Sequence, residues 1–194
     1  MAPDARGFLL SPGVFEKITE EKGSEGILSV FSRDLLPAFP ALRGSLRLIA
    51  LENVQDPGNV GTILRTAASL GIDGALLCGC ADPFSSKAIR ASMGAIAHIP
   101  LRFYPDVSAL MDEMDAFGIS TVAATLAEES VPIGQTQLTA PICVLVGNEG
   151  QGLSRQAVSR AAKKCIIPIR NLESLNVAAA ATVFLWEIVR REKI

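Results

Sequence analysis

Ile142-Cys143-Val144-Leu145-Val146-Gly147-Asn148-Glu149-Gly150-Gln151-Gly152-Leu153-Ser154 runs from five apolar residues, through three glycines, to a serine that can open a helix. A short apolar run that stops at glycine reads as a strand buried on both faces. Glycines between a strand and a helix let backbone approach a ligand closely or take positive φ, or else make a tight turn. The same beat extends upstream and downstream. Leu46–Val54 is an apolar strand with a polar break, and Asp56-Pro57-Gly58-Asn59 turns into an amphipathic helix ending at Gly71. Ala75–Cys78, Ala97–Phe103 and Ser120–Leu126 read as further strands, and helices fit Ser86–Met93, Asp106–Ala116, Ser154–Lys163 and Leu175–Arg191. Strands separated by helices predict an α/β fold with a mainly parallel sheet and helices on both faces. Residues 1–45 break the beat: Pro, Gly and charge alternate, and only Gly26–Phe31 looks like a strand. That stretch reads as an arm or the remnant of a larger module, and residues 46–194 as the working domain.

Composition narrows the function classes. The 194 residues are 49% hydrophobic and 20% charged, enough for a real core and unlike a disordered chain. No apolar run reaches the 18 or so residues of a membrane span, and the N-terminus lacks a signal-peptide pattern. Four cysteines without a CxxC pair suggest neither a disulfide framework nor zinc, so a reduced, cytoplasmic protein without a metal is expected. His98 is the single histidine and falls on the expected strand Ala97–Phe103, where an ordinary strand role is predicted for it. Net charge is −2, yet from Gln151 to Ile194 eight Lys or Arg face three acids. Lys87, Arg90 and Arg102 form a second basic group with no acid between Phe84 and Tyr104. Local basic patches on an acidic chain fit an anionic partner, or equally a solvated helix face.

In a sheet of this kind ligands bind beyond the C-terminal strand ends. Three loops there carry unusual residues: Asn53 to Gly61 running into Arg65, Gly147 to Ser154, and Ile167 to Asn176. The glycine spacing in the second is neither GxGxxG nor a phosphate loop ending in GK[ST]. Arg65, amid small and apolar helix neighbours, faces either a cleft or solvent. Ser174 or Asn176 either caps the alanine-rich helix that follows or belongs to a site.

These three loops resemble motifs one, two and three of the SpoU (TrmH-like) RNA 2'-O-ribose methyltransferases of the SPOUT superfamily. Motif one is Asn53 through Arg65 with its Asp-Pro-Gly-Asn-Val-Gly core; motif two is Leu145 through Gly152. Motif three is Ile167-Pro168 followed by Glu173-Ser174-Leu175-Asn176-Val177-Ala178, and Ser86 to Ala95 resembles a family segment between motifs one and two. The match spans about residues 46 to 191. The resemblance implies a C-terminal trefoil knot, which general topology rules would not predict, and an obligate homodimer with composite sites. It implies S-adenosylmethionine held in bent form by backbone around Thr125 and Leu126, Gly147, Ile167 and Leu175. Arg65, Asn59, Glu149, Ser174 and Asn176 would form the catalytic and substrate side. Two departures stand out. The segment between Pro168 and Glu173 is one residue shorter than usual, with Asn171 near the place of a common glycine. Of the N-terminal RNA-binding domain the family often carries, only a last piece, Val14 to Phe31, is expected.

The residue inventory suits the implied chemistry. Transfer to a ribose hydroxyl needs alignment with a sulfonium methyl, no metal, and help with a weakly acidic proton. An arginine, which keeps its proton in proteins, suits activation and positioning rather than proton removal, so Arg65 takes that role and the proton acceptor stays open. Contact with structured RNA, ribosomal slightly ahead of transfer RNA, would run through phosphates and 2'-hydroxyls on Lys87 and Arg90. The rivals are a catalytically degenerate relative that binds RNA or cofactor, and a nucleotide-binding α/β protein using Gly147–Gly152.

Overall fold

The structure, a computed structural model, describes residues 6–19, 26–172 and 174–190. The chain divides into two units, Met1–Leu35 and Leu36–Ile194. In the first, helix α1 (Pro12–Ile18) starts on a proline at its first turn and buries none of its residues. Gly26–Phe31, expected as a strand, is irregular. It has no neighbouring strand among the described residues to take up its backbone hydrogen bonds, and a lone strand is not stable in water.

Among the described residues the second unit is built on a sheet of seven strands. These are β1 (Arg47–Glu52), β2 (Gly74–Cys78), β3 (Leu101–Tyr104), β4 (Ser120–Ala124), β5 (Val131–Pro132), β6 (Ile142–Val146) and β7 (Lys163–Ile166). All six neighbouring pairs are parallel, in the order β3-β2-β1-β6-β4-β7-β5. The helices are α2 (Pro57–Ser69), α3 (Ser86–Ser92), α4 (Val107–Ala116), α5 (Arg155–Arg160) and α6 (Val177–Arg190). Alternation along β1 sorts the core into two layers. Ile49 and Leu51 face Ile63 and Leu64 of α2 and Phe184 and Leu185 of α6; Leu48 and Ala50 face Leu110, Met111 and Met114 of α4 and Ala157 of α5. The chain walks outward from β1 to β3, returns to β4, and later drops β6 into the gap between β1 and β4. The C-terminal ends of β1, β6, β4 and β7 therefore stand side by side, at the switch point where such sheets hold ligands.

Three sequence expectations are corrected here. The helix expected over Ser154–Lys163 ends at Arg160, and Lys163–Ile166 becomes β7 beside β4, pairing Val122 with Lys163 and Ala124 with Cys165. The strand expected from Ala97 begins only at Leu101, because Met93 and Gly94 take left-handed backbone and Ala95–Ala97 forms a 3-10 turn. His98 consequently caps that turn, exposed, and is not a strand residue.

Helices α2 and α3 meet at Gly61, where an added Cβ would lie 2.3 Å from the Ala88 carbonyl and 2.7 Å from the Ala91 Cβ. Gly61→Val is expected to force the helices apart and cost about 1–3 kcal/mol. Denaturant unfolding measures this, and an unchanged midpoint would refute the close approach.

Candidate functional site

The first loop begins where β1 ends. Asn53 takes positive φ (54°) and its N–H donates to the Cys78 carbonyl at 2.8 Å, turning the chain over the end of β2. Asp56 caps α2, accepting the Gly58 N–H at 2.6 Å, and Pro57 supplies the first helical residue. The second loop follows β6. Asn148 and Gly152 exchange backbone hydrogen bonds at 2.9 and 3.0 Å, closing a tight turn, and the Asn148 Oδ1 accepts the N–H groups of Gly150 and Gln151. This accounts for Gly147: a Cβ there would lie 2.2 Å from the backbone of Gly152 and Leu153. Its close approach is to its own loop.

The two loops grip each other. The Asn148 Nδ2 donates to the Asn53 carbonyl at 2.9 Å. In return the Glu149 carboxylate crosses to the first loop, accepting the N–H of Gln55 (3.2 Å), the N–H of Asp56 (3.0 Å) and the Nδ2 of Asn59 (3.0 Å). The third loop joins through Asn176, whose Nδ2 donates to the Asn59 Oδ1 at 3.1 Å while its own Oδ1 caps α6 at the Ala178 N–H, 2.9 Å away. Asn176 is thus both helix cap and site residue. Glu149, Asn59 and Asn176 form one hydrogen-bonded chain through three loops distant in sequence. Partial burial pushes the Glu149 carboxyl up, but the donors Asn59, Asp56 and Gln55 outweigh it and hold the group below its ordinary value of 4.5. An ionised carboxylate with both oxygens already accepting suits holding loops in place, not shuttling a proton.

Beside this chain lies a cleft of about 330 Å³ between the ends of β4, β6 and β7 and the start of α6. Thr125, Leu126, Gly147, Ile167 and Leu175 all line it, as do Glu149 and Ser174. The Thr125 N–H is already spent on the Cys165 carbonyl at 3.0 Å. Asn59 and Asn176 are not lining residues, and Arg65, further along α2, lines no part of the cleft. Arg65 and Ser174 are exposed, and their side chains make no hydrogen bond with a described residue. Glu173 lies outside the described residues.

The basic groups are more neutralised than their sequence neighbourhoods suggest, because the acids come from other segments. Lys87 reaches Asp56 at 2.8 Å and lowers its carboxyl, helped by the Gly58 N–H. Arg102 pairs with Glu113 at 2.5 Å, Arg160 with Asp112 and Asp115, Lys164 with Glu129, and Arg190 with Glu187. Arg155 and Arg170 have no ion-pair partner among the described residues; Arg191 and Lys193 lie outside them. No metal-binding cluster occurs among the described residues. Two positions the sequence reading passed over belong to the site: Glu52, whose Oε2 accepts the Ser154 N–H at 2.8 Å, and Asn148. A carboxylate ending an apolar strand was the available signal for Glu52.

A parallel sheet whose switch point carries three interlocked loops and a cleft lined mainly by uncharged residues defines a ligand-binding α/β protein. Its class follows from comparison: the profile of the SpoU rRNA Methylase family matches residues 47–186. The chain belongs to the SpoU family of RNA methyltransferases. It is 33% identical over 194 residues to an uncharacterized tRNA/rRNA methyltransferase of Synechocystis, aligning 99% of this chain with 70% of that one. It is 30% identical over 183 residues to RlmP of Bacillus subtilis, a 23S rRNA guanosine 2'-O-methyltransferase, aligning 93% of this chain with 71% of that one. The fold superposes on the crystal structure of an AdoMet-bound rRNA methyltransferase from Sinorhizobium meliloti. The TM-score is 0.76 at 32% identity, covering 82% of this chain and 62% of that one. This chain therefore spans less than two thirds of that solved chain, and the fold is that of SPOUT methyltransferases.

The depressed Glu149 carboxyl gives a pH prediction. Its contribution is complete above the ordinary carboxylate range and is lost as pH falls through the lower folded-state value. Glu149→Ala is expected to lose about 1–2 kcal/mol at neutral pH, the exposure of the carboxylate keeping the effect moderate. Its deficit should shrink below pH 4.5. Urea unfolding at pH 7 and pH 4 tests both, and a deficit independent of pH would refute the clamp.

Proposed function

We propose that this chain transfers a methyl group from S-adenosylmethionine to a ribose 2'-hydroxyl of structured RNA, ribosomal RNA ahead of transfer RNA. The observation that carries the reading is the Glu149–Asn59–Asn176 chain, which ties the three family loops to the rim of one cleft. The 2'-O specificity and the ribosomal preference are supported by the likeness to RlmP.

The cleft fits the cofactor. Its volume falls within the range of small-molecule sites. It offers apolar side chains at Leu126, Ile167 and Leu175 for an adenine ring, and loop backbone at Thr125 and Gly147 for polar groups. Its one carboxylate, Glu149, is already engaged. When bound, S-adenosylmethionine supplies an electrophilic methyl group. The chain's residues do the rest. Arg65, always charged and with five donors, anchors a target phosphate and polarises the hydroxyl; Ser174 offers a free hydroxyl at the cleft; Asn59, Glu149 and Asn176 hold the loops that carry them. Lys87 and Arg90 are proposed RNA contacts, Lys87 exchanging its Asp56 partner for phosphate. A C-terminal knot is part of the same proposal, as is a cytoplasmic location, in keeping with four free thiols. Residues 1–45 are proposed as an N-terminal arm or the remnant of an RNA-binding domain, and residues 46–194 as the catalytic domain.

We further propose a homodimer with composite sites. Arg65 lies outside the cleft of its own chain, and α6 exposes Val183 and Trp186 (54%). Exposed large apolar side chains on one helix are the material of an interface.

Arg65→Ala is expected to lose methyl transfer to RNA by about 100-fold or more. It should bind S-adenosylmethionine as the wild type does in calorimetric titration. Retained transfer would exclude the assigned role. A wild type that binds cofactor but methylates no ribosomal or transfer RNA would favour a non-catalytic relative. Light scattering of Trp186→Glu should show a monomer where the wild type is a dimer; a wild-type monomer at micromolar concentration would end the composite-site proposal.

A further inference from the structure

Glu52 closes β1 with its carboxylate inside the protein, only 4% exposed, and does not line the cleft. No lysine or arginine pairs with it among the described residues. A buried carboxylate without a cation is costly, so what it holds matters. Its Oε2 accepts the N–H of Ser154 at 2.8 Å. Ser154 is the last residue of the glycine loop and caps α5, its Oγ accepting the Ala157 N–H at 3.1 Å.

The other foot of the loop is held by the next residue along, the Asn53 carbonyl accepting the Asn148 Nδ2 at 2.9 Å. Between these two points the loop is closed by the Asn148–Gly152 pair, so it moves as a unit. Two consecutive residues at the end of β1 therefore fix both feet of the segment that forms one wall of the cleft. Since β1 is the strand beside β6 in the sheet, the reference is rigid. Without the Glu52 bond, the exit of the loop would be set by the packing of Leu153 on the core and by the short helix that follows.

We infer that Glu52 is a positioning residue for cofactor affinity, acting through the Ser154 N–H to set the wall of the cleft; this rests on the reading of the cleft as the S-adenosylmethionine site. Titration of the wild-type chain and its variants with S-adenosylmethionine tests it. Glu52→Ala is expected to weaken binding by about tenfold, the worth of one charge-assisted hydrogen bond. Glu52→Gln, whose amide oxygen can accept the same N–H, should restore affinity to within about threefold. Ser154→Pro deletes the donor at a residue whose φ of −61° already suits proline, and should weaken binding like Glu52→Ala. Ser154→Ala, which loses only the cap, should not. Hydrogen exchange of residues 147–154 should quicken in Glu52→Ala and not in Glu52→Gln. If Glu52→Ala does not fold, Ser154→Pro against Ser154→Ala decides. Unchanged affinity in Glu52→Ala, or a Gln variant as weak as Ala, overturns the inference alone. A wild type that binds no S-adenosylmethionine overturns the cofactor reading and this inference with it.

Discussion

The Glu149 carboxylate gathers donors that would otherwise have no common partner. Two consecutive backbone N–H groups and one side-chain amide, all from the first loop, converge on a group supplied by the second. The N–H groups at the start of a helix have no partner within it. Here Asp56 satisfies one of these, and Glu149 adds the two residues before the helix. Helix α2 thereby starts at a defined place relative to the cleft, which sets where Asn59 meets Asn176 and where Arg65 projects. Remove the carboxylate and each of those positions loosens together, because each is defined through the same loop.

The arrangement is reciprocal. Backbone of the first loop anchors the second through Asn148 and Glu52's neighbour, while a side chain of the second anchors the first. Each loop has bonds of its own, Asp56 capping α2 in the first and the Asn148–Gly152 pair closing the second, and the bonds between them fix the two relative to each other. Such coupling lets a site made of loops keep a fixed geometry, at the expense of tolerating few changes in either loop. The small-residue contacts between α2 and α3 at Gly61 extend the same economy of space one layer back.

Much of the sheet was legible in the sequence, since β1, β2, β4 and β6 are apolar runs that end at polar or glycine residues. What was not legible has a common cause. Lys163–Ile166 carries two lysines and extends a helical pattern, and only the vacant side of β4 makes it a strand. Val131–Pro132 is too short to signal anything alone. His98 was misplaced because left-handed backbone at Met93 cannot be anticipated for an unbranched side chain. At the site, the motifs announced the residues, but not that Glu149 and Asn59, ninety positions apart, bond to each other, nor that Lys87 meets Asp56. Local sequence counts charges along the chain, whereas folding pairs them across it.

The placement of β6 has a consequence for how the protein is made. The strand that fills the middle of the sheet is among the last to leave the ribosome, after β1 through β5 have already emerged. Until residues 142–146 arrive, β1 and β4 each present an open, apolar edge where their shared neighbour belongs. Unpaired edges of this kind invite pairing with other chains. The nascent protein therefore passes through a stage in which the β3-β2-β1 half-sheet and a still unpaired β4 wait for a common centrepiece, and the glycine loop that ends that centrepiece is laid down with it, before β7 joins β4 to β5.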